Sequence, residues 1–369
     1  MSTSAIIDVT ALVQPISEEN PVGDDVRMNS SLTSMYSEIK DARNSARAAE
    51  RNNMFDGDNT EALEHWNKII SLAPKILTDE TKDLEIACWY TEALIRKAGF
   101  QGLRDGFTLI GQLIEQFWDD DIYPSPDEDG IEARVAPISG LNGEGADGVL
   151  LAPIRSAYIT EDIAPGPYSF WQYKQAVDIK RISDVDKRAA QINSVGFSMD
   201  DIENAVEQSS NEYYLDLHDD VSECLTEYKK FSDQLTEYCG NMDAPSTSKI
   251  IELLEDTLSA INHIAKHKLP VEALAEVNEE GQTRGSPTAA TATIGSVLNS
   301  RAEAFQQLNI IAEYFKKTEP HSPISYILNK AGKWGDMSLD QLMNELIPDS
   351  SARGVYSSLT GVQQNDEGQ

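Results

Sequence analysis

Apolar residues recur at three- and four-residue steps along most of this chain, and wherever that pattern holds it predicts a helix. Leu32, Met35, Ile39, Ala42, Ala46 and Ala49 form a first stripe, with Ser30 or Ser31 placed to cap it. After a polar break from Asn52 to Asn59, a second stripe runs through Leu63, Trp66, Ile70, Ala73 and Leu77. Pro74 is expected to kink or end it. The clearest pair comes next. Leu84, Ala87, Thr91, Leu94 and Ala98 share one face, and Gly99 stands where helices commonly end in a left-handed residue. Leu103, Phe107, Ile110, Ile114 and Phe117 then resume the pattern. This predicts an antiparallel helical hairpin in which Gly102, Gly106 and Gly111 let a neighbouring backbone come close. Pro137 to Pro153 reads as a glycine-rich connection, and APGP at Ala164 to Pro167 as a domain boundary.

The middle of the chain has a seven-residue repeat. Tyr214, Val221, Tyr228 and Leu235 alternate with Leu217, Cys224, Phe231 and Tyr238 as a and d positions, and Gly240 ends the helix. A return helix carries Ile251, Leu254, Leu258, Ile261 and Ala265. The short loop favours an antiparallel hairpin between the two, with self-association through the same seam as the alternative. Residues 270–295 lack aromatics and any sustained period, which is linker composition. Leu298, Ala302, Phe305, Leu308, Ala312 and Phe315 then form a stripe, Ser322-Pro323 opens another helix, and Ser338 with Gln341 caps a third.

These elements predict an all-α, multi-domain protein with helical hairpins and a small C-terminal helical domain. The expected divisions are 1–164, a middle domain 165–269, the linker 270–295, the unit 296–362 and a disordered tail 363–369. A unit as short as the last buries little by itself and often needs association. Tyr314, Phe315, Tyr326 and Trp334 are therefore either its core or an oligomer interface, the latter also taking in Phe305, Pro320, Ser322 and Pro323.

Charge narrows the choice of partners. Sixty-two acids against thirty bases in 369 residues give a formal charge of −32. With no block of Lys and Arg, nucleic acid and anionic membrane are excluded as expected partners. No run approaches the ~18 apolar residues of a membrane helix, and MSTSAIIDVTALVQ does not read as a secretion signal, so a cytoplasmic location is expected. Cys88, Cys224 and Cys239 read as reduced core thiols.

Candidate chemistry is sparse. His263 and His267 have the spacing of two metal ligands on a helix, but Ile264 follows where a zinc protease carries its glutamate. Aligning residues 125–136 with a calcium loop puts Ser125 and Ala136 at the defining ends, where acids belong, although Asp127 and Asp129 fit. A solvated acidic loop answering a basic partner, or Arg134 within the fold, is the better account. Gly140, Gly143, Gly145 and Gly148 crowd a loop with Glu144 and Asp147, which would repel a phosphate; turns with positive φ explain them. No nucleophile pattern appears, so neither catalysis nor a cofactor or metal is expected.

Two stretches carry a family resemblance. One is Pro15-Ile16-Ser17, Pro21 and Gly23-Asp24-Asp25. The other is Phe117-Trp118, Asp119 to Asp121, Tyr123-Pro124, Asp127 to Asp129 and Arg134. Together they resemble the ImpA N-terminal domain of the TssA proteins of bacterial type VI secretion systems. The piece YFKKTEPHSPISYILNKAGKW resembles the C-terminal region of the shorter TssA proteins. The resemblance implies a structural component associated with the baseplate and membrane complex. Such a protein would prime or coordinate polymerisation of tube and sheath and form a homo-oligomeric ring. The alternatives are a paralogue that anchors or stops the sheath at its distal end, and a metal-dependent hydrolase using His263, His267 and a carboxylate.

Overall fold

The computed structural model of the protein describes residues 3–52, 59–126 and 130–270, together with Ala312, Lys316 and one helix near the C-terminus. Residues 1–276 form one compact unit and residues 277–369 a second. The first contains α1 (Val9–Leu12), a single 3-10 turn at Val26–Met28, α2 (Met35–Asn52), α3 (Thr60–Asp79), α4 (Leu84–Phe117), α5 (Glu132–Asn142), α6 (Leu151–Ser156), α7 (Phe170–Lys180), α8 (Val185–Val195), α9 (Met199–Gln208), α10 (Asn211–Asp243) and α11 (Ser248–Ile264). In the second unit the described helix is α12 (Pro323–Trp334). The described residues include no sheet, only isolated bridges, so the fold class is all-α.

The hairpin at the centre forms as its pattern predicts. Asp83 caps α4 by accepting from the backbone N–H groups of Glu85 and Ile86. The helix then breaks at Ala98 and at Gly99, whose φ of 57° suits a residue without a Cβ. The arms pack closely because Gly102 lies against the Leu94 carbonyl and Gly106 against the Thr91 side chain; a Cβ at either would meet them at 2.3 and 2.6 Å. At the open end Leu84 N–H donates to Tyr123 O, and Asp83 bridges Tyr123.

Several expectations need correction. Pro74 lies inside α3, which runs on to Asp79, and the stripe is rotated: Ala62, Ile69 and Ile76 are buried whereas Leu63 is exposed. The first helix starts at Met35, where Ser34 Oγ accepts from Ser37 N–H, and Leu32 is exposed outside it. The stretch Pro137 to Pro153 is not simply a connection: α5 spans Pro137 and α6 contains Pro153. Gly143 and Gly145 between them do have positive φ.

The largest difference concerns the heptad seam. Tyr214, Leu217, Val221, Cys224, Tyr228, Phe231 and Leu235 are buried as expected, but Tyr238 is 41% exposed. Residues on that seam face the second arm of α4. Phe107 packs on Tyr228 and Phe231 at ring distances of 4.7 and 5.9 Å, Cys224 Sγ reaches Phe100 O at 3.3 Å, and Gly111 lies against Phe231. α11 also runs antiparallel to α10, joined by Ser232–Thr247 and Lys229–Glu255 contacts. The second arm of α4 offers that seam aromatic and small residues to pack on, Phe107 and Gly111 among them, and burying the seam there removes its apolar surface from water. The boundary expected at APGP therefore divides no two cores. That segment is the tip of a loop stitched by Ile159 N–H to Tyr168 O and Phe170 N–H to Ala157 O. The linker 270–295 beyond Pro270 and most of 296–362, with the tail 363–369, lie outside the described residues.

Candidate functional site

The opening motif closes the corner where α3 meets α4. Gly23 has a φ of 74° and sits on the Glu80 carbonyl so tightly that a Cβ would come within 2.1 Å of it. Asp24 N–H donates to the same carbonyl, Lys82 N–H donates to Val22 O, and Tyr123 N–H donates to Lys82 O. Tyr123 and Gly23 thus lie on opposite sides of one short extended segment. Pro21 O accepts from Ile16 N–H, which closes the loop that begins at Pro15.

Two buried charges occupy this corner. Asp83 is paired with Arg27 at 2.7 Å, and Arg27 also reaches Asp25 and Glu85 at 3.0 Å. Burial pushes the Asp83 carboxyl up; the Arg27 guanidinium and the Ile86 N–H pull it back down. Burial also disfavours the Arg27 charge, but the surrounding carboxylates outweigh it and hold the proton more firmly. Tyr36 OH donates to Glu85 and is pushed up to about 12 by burial and that neighbouring charge. Lys82 is fully buried, with Nζ donating to the carbonyls of Leu12 and Leu77. Burial lowers its pKa to about 8, against a small opposing pull from Asp79.

The second motif folds into another clamp. Arg134, on α5, is buried over the Trp118 ring at 5.2 Å and donates to Trp118 O at 3.3 Å and Asp121 at 2.9 Å. Trp118 in turn stacks on Tyr238 at 4.9 Å, which gives the outermost seam residue a partner. Arg134 therefore answers Asp121 within the fold. Pro124, half-buried, follows Tyr123; Asp127 and Asp129 lie outside the described residues. The described residues of both motifs thus help hold the hairpin's open end.

Sequence reasoning missed a third network. Arg104, buried on α4, pairs with Asp105 at 2.7 Å and with Asp220 of α10 at 2.6 Å. The N-terminal segment is laid across them: Thr3 Oγ1 donates to Asp220 and Ile6 N–H donates to Asp105. Adjacent opposite charges in an apolar stripe were the available signal.

The remaining candidates scatter. His267 meets Glu207 at 3.0 Å, and among the described residues no three His, Cys, Asp or Glu gather as a metal site. Cys88 and Cys224 are buried, and burial raises both thiols well above the usual range; Cys239 is half-buried. In α12, Tyr326 and Ile327 are exposed and Pro323 opens the helix that Trp334 closes. Phe305, Tyr314, Phe315, Pro320 and Ser322 lie outside the described residues.

Residues 13–143 match the family described as ImpA, N-terminal, type VI secretion system. The chain is 23% identical over 368 residues to the type VI secretion system component TssA1 of Pseudomonas aeruginosa, covering 96% of this chain and 99% of that protein. Its fold is similar to a solved structure from Burkholderia cenocepacia, the N-terminal domain including the conserved ImpA_N region of the TssA component. The TM-score is 0.58 at 24% identity, over 73% of this chain and 98% of that one.

Proposed function

The chain belongs to the TssA family of type VI secretion components, and on that premise we propose that it is a non-enzymatic assembly protein of the apparatus. It associates with the baseplate and membrane complex and primes or coordinates polymerisation of tube and sheath. It works from the cytoplasmic side as a homo-oligomeric ring held by its C-terminal region. What supports this reading most is the near end-to-end match to a named secretion component. The chemistry agrees: among the described motif residues, Arg134 is taken up by Asp121 and Trp118, Asp24 and Tyr123 bond to the backbone of residues 80–82, and Gly23 packs on it. Among the described residues no helix is long and apolar enough to cross a membrane.

The test is imaging of a fluorescent sheath subunit in a type VI-competent bacterium that lacks this gene. Full-length protein restores sheath assembly, and a chain ending at residue 276 does not. Restoration of normal sheaths by the truncated chain would remove the C-terminal ring from the account.

A further inference from the structure

The chain has no block of bases in sequence, yet α2 assembles one in space. Lys40, Arg43, Arg47 and Arg51 follow at steps of three, four and four, which places them within roughly 80° of arc on the helix. Arg96 of α4 adjoins them through Glu92 and Glu50. The carboxylates within this cluster are already committed. Glu50 accepts from Arg96 Nε and Nη2, at 2.6 and 3.0 Å, and from Trp66 Nε1 at 2.7 Å. Glu92, fully buried, accepts from Arg43 at 2.7 Å, while Arg47 and Arg96 stand off at 3.8 Å.

Three cations thus share two carboxylates, and two more stand on the same helix stripe. Among the described residues Arg51 and Lys40 form no ion pair, and Arg47 none closer than 3.8 Å. Crowding registers on Arg47, whose pKa is lowered by burial and by Arg43, Arg96 and Arg51, with Glu92 opposing. Beside the stripe a groove of about 390 Å³ runs past Arg43, Trp89 and Pro137.

We propose that this outward face of α2 docks a short acidic segment of another protein, one presenting carboxylates a helical turn apart. A local positive stripe on a molecule of charge −32 selects for brevity. A long polyanion, or a second copy carrying the same −32, feels the repulsion of the whole surface. A short segment stays within the ~8 Å over which salt leaves the stripe's own field dominant. The inference stands whether or not the chain forms rings.

The experiment measures fluorescence anisotropy of a short labelled peptide with glutamates at three- and four-residue spacing, titrated with the full-length protein at low ionic strength. Binding is expected, weakening as salt is added. Arg47→Gln with Arg51→Gln should weaken it about tenfold, since two exposed pairs are lost. That variant leaves Arg43 on Glu92 and should melt like the parent. Lys40→Gln alone should weaken binding less, and Arg47→Lys with Arg51→Lys should retain most of it. Lys180→Gln with Arg181→Gln, an equal charge change at the end of α7, should leave it unaltered. Absence of binding at low salt, equal losses in the two charge-matched variants, or equally tight binding of a single-stranded oligonucleotide of matching charge would each overturn the proposal.

Discussion

At the open end of the α4 hairpin two arginines each hold an aspartate, and they divide the burial in opposite ways. Around Arg27 the acid is the hidden partner: its Asp83 side chain is 0% exposed, the arginine 25%. Around Arg134 the base is hidden, at 4%, and Asp121 is 86% exposed. A buried carboxylate concentrates its charge on two oxygens and needs donors, which Arg27 and the first N–H groups of α4 supply. A guanidinium spreads its charge and tolerates an aromatic face, so Arg134 rests on Trp118 with its Nε lacking a hydrogen bond. The first clamp is consequently the fragile one.

Breaking that asymmetry begins with Arg27→Met, which strands a buried aspartate. Urea unfolding should show a loss of about 3–5 kcal/mol. Adding Asp83→Asn, which still caps α4, should recover most of it. Arg134→Met keeps much of the packing and leaves Asp121 in water, so it should cost about 1–2 kcal/mol. A larger loss at Arg134 than at Arg27 would reverse the comparison.

Lys82 sharpens it with a second buried charge in the Asp83 corner. Its folded pKa near 8 lies below the ordinary 10.5. Between those values the unfolded chain holds a proton that the folded chain lacks, so this contribution to stability rises with pH. Compared with Lys82→Met, the parent should gain on the order of 1–3 kcal/mol between pH 8 and 10.5. A constant difference would put the ammonium in contact with water. The smallest effect belongs to Asp121→Asn. Asparagine tolerates the left-handed backbone there (φ 62°), so only an exposed charge is lost, and the change should stay under about 1 kcal/mol.

Helices and their buried faces were largely legible because period and burial share one cause. Gly99 as a break, Gly102 and Gly106 as close approaches, and Cys224 in a seam all followed from steric rules that act locally. What the seam faced was not local. The heptad of α10 looks the same whether α11 or the α4 hairpin covers it, and only the summed area of the alternatives decides. Proline also misled: Pro74 removes one hydrogen bond, but Trp66, Ala73 and Leu77, fully or nearly buried, hold the helix on both sides of it. The motif residues were recognisable by type and spacing, but their partners Asp83, Asp121 and Tyr238 were set by the hairpin's closure. The α2 stripe escaped because its cations stand three and four residues apart, adjacent only once the helix exists.

We propose that copies of this chain are joined through the region after residue 276, leaving residues 1–276 as a self-sufficient helical unit. Multi-angle light scattering of the full-length protein beside a chain ending at residue 276 tests it directly. The account predicts a multimer for the first and a folded monomer for the second. An identical subunit count for both, or a full-length monomer at every concentration, would contradict it.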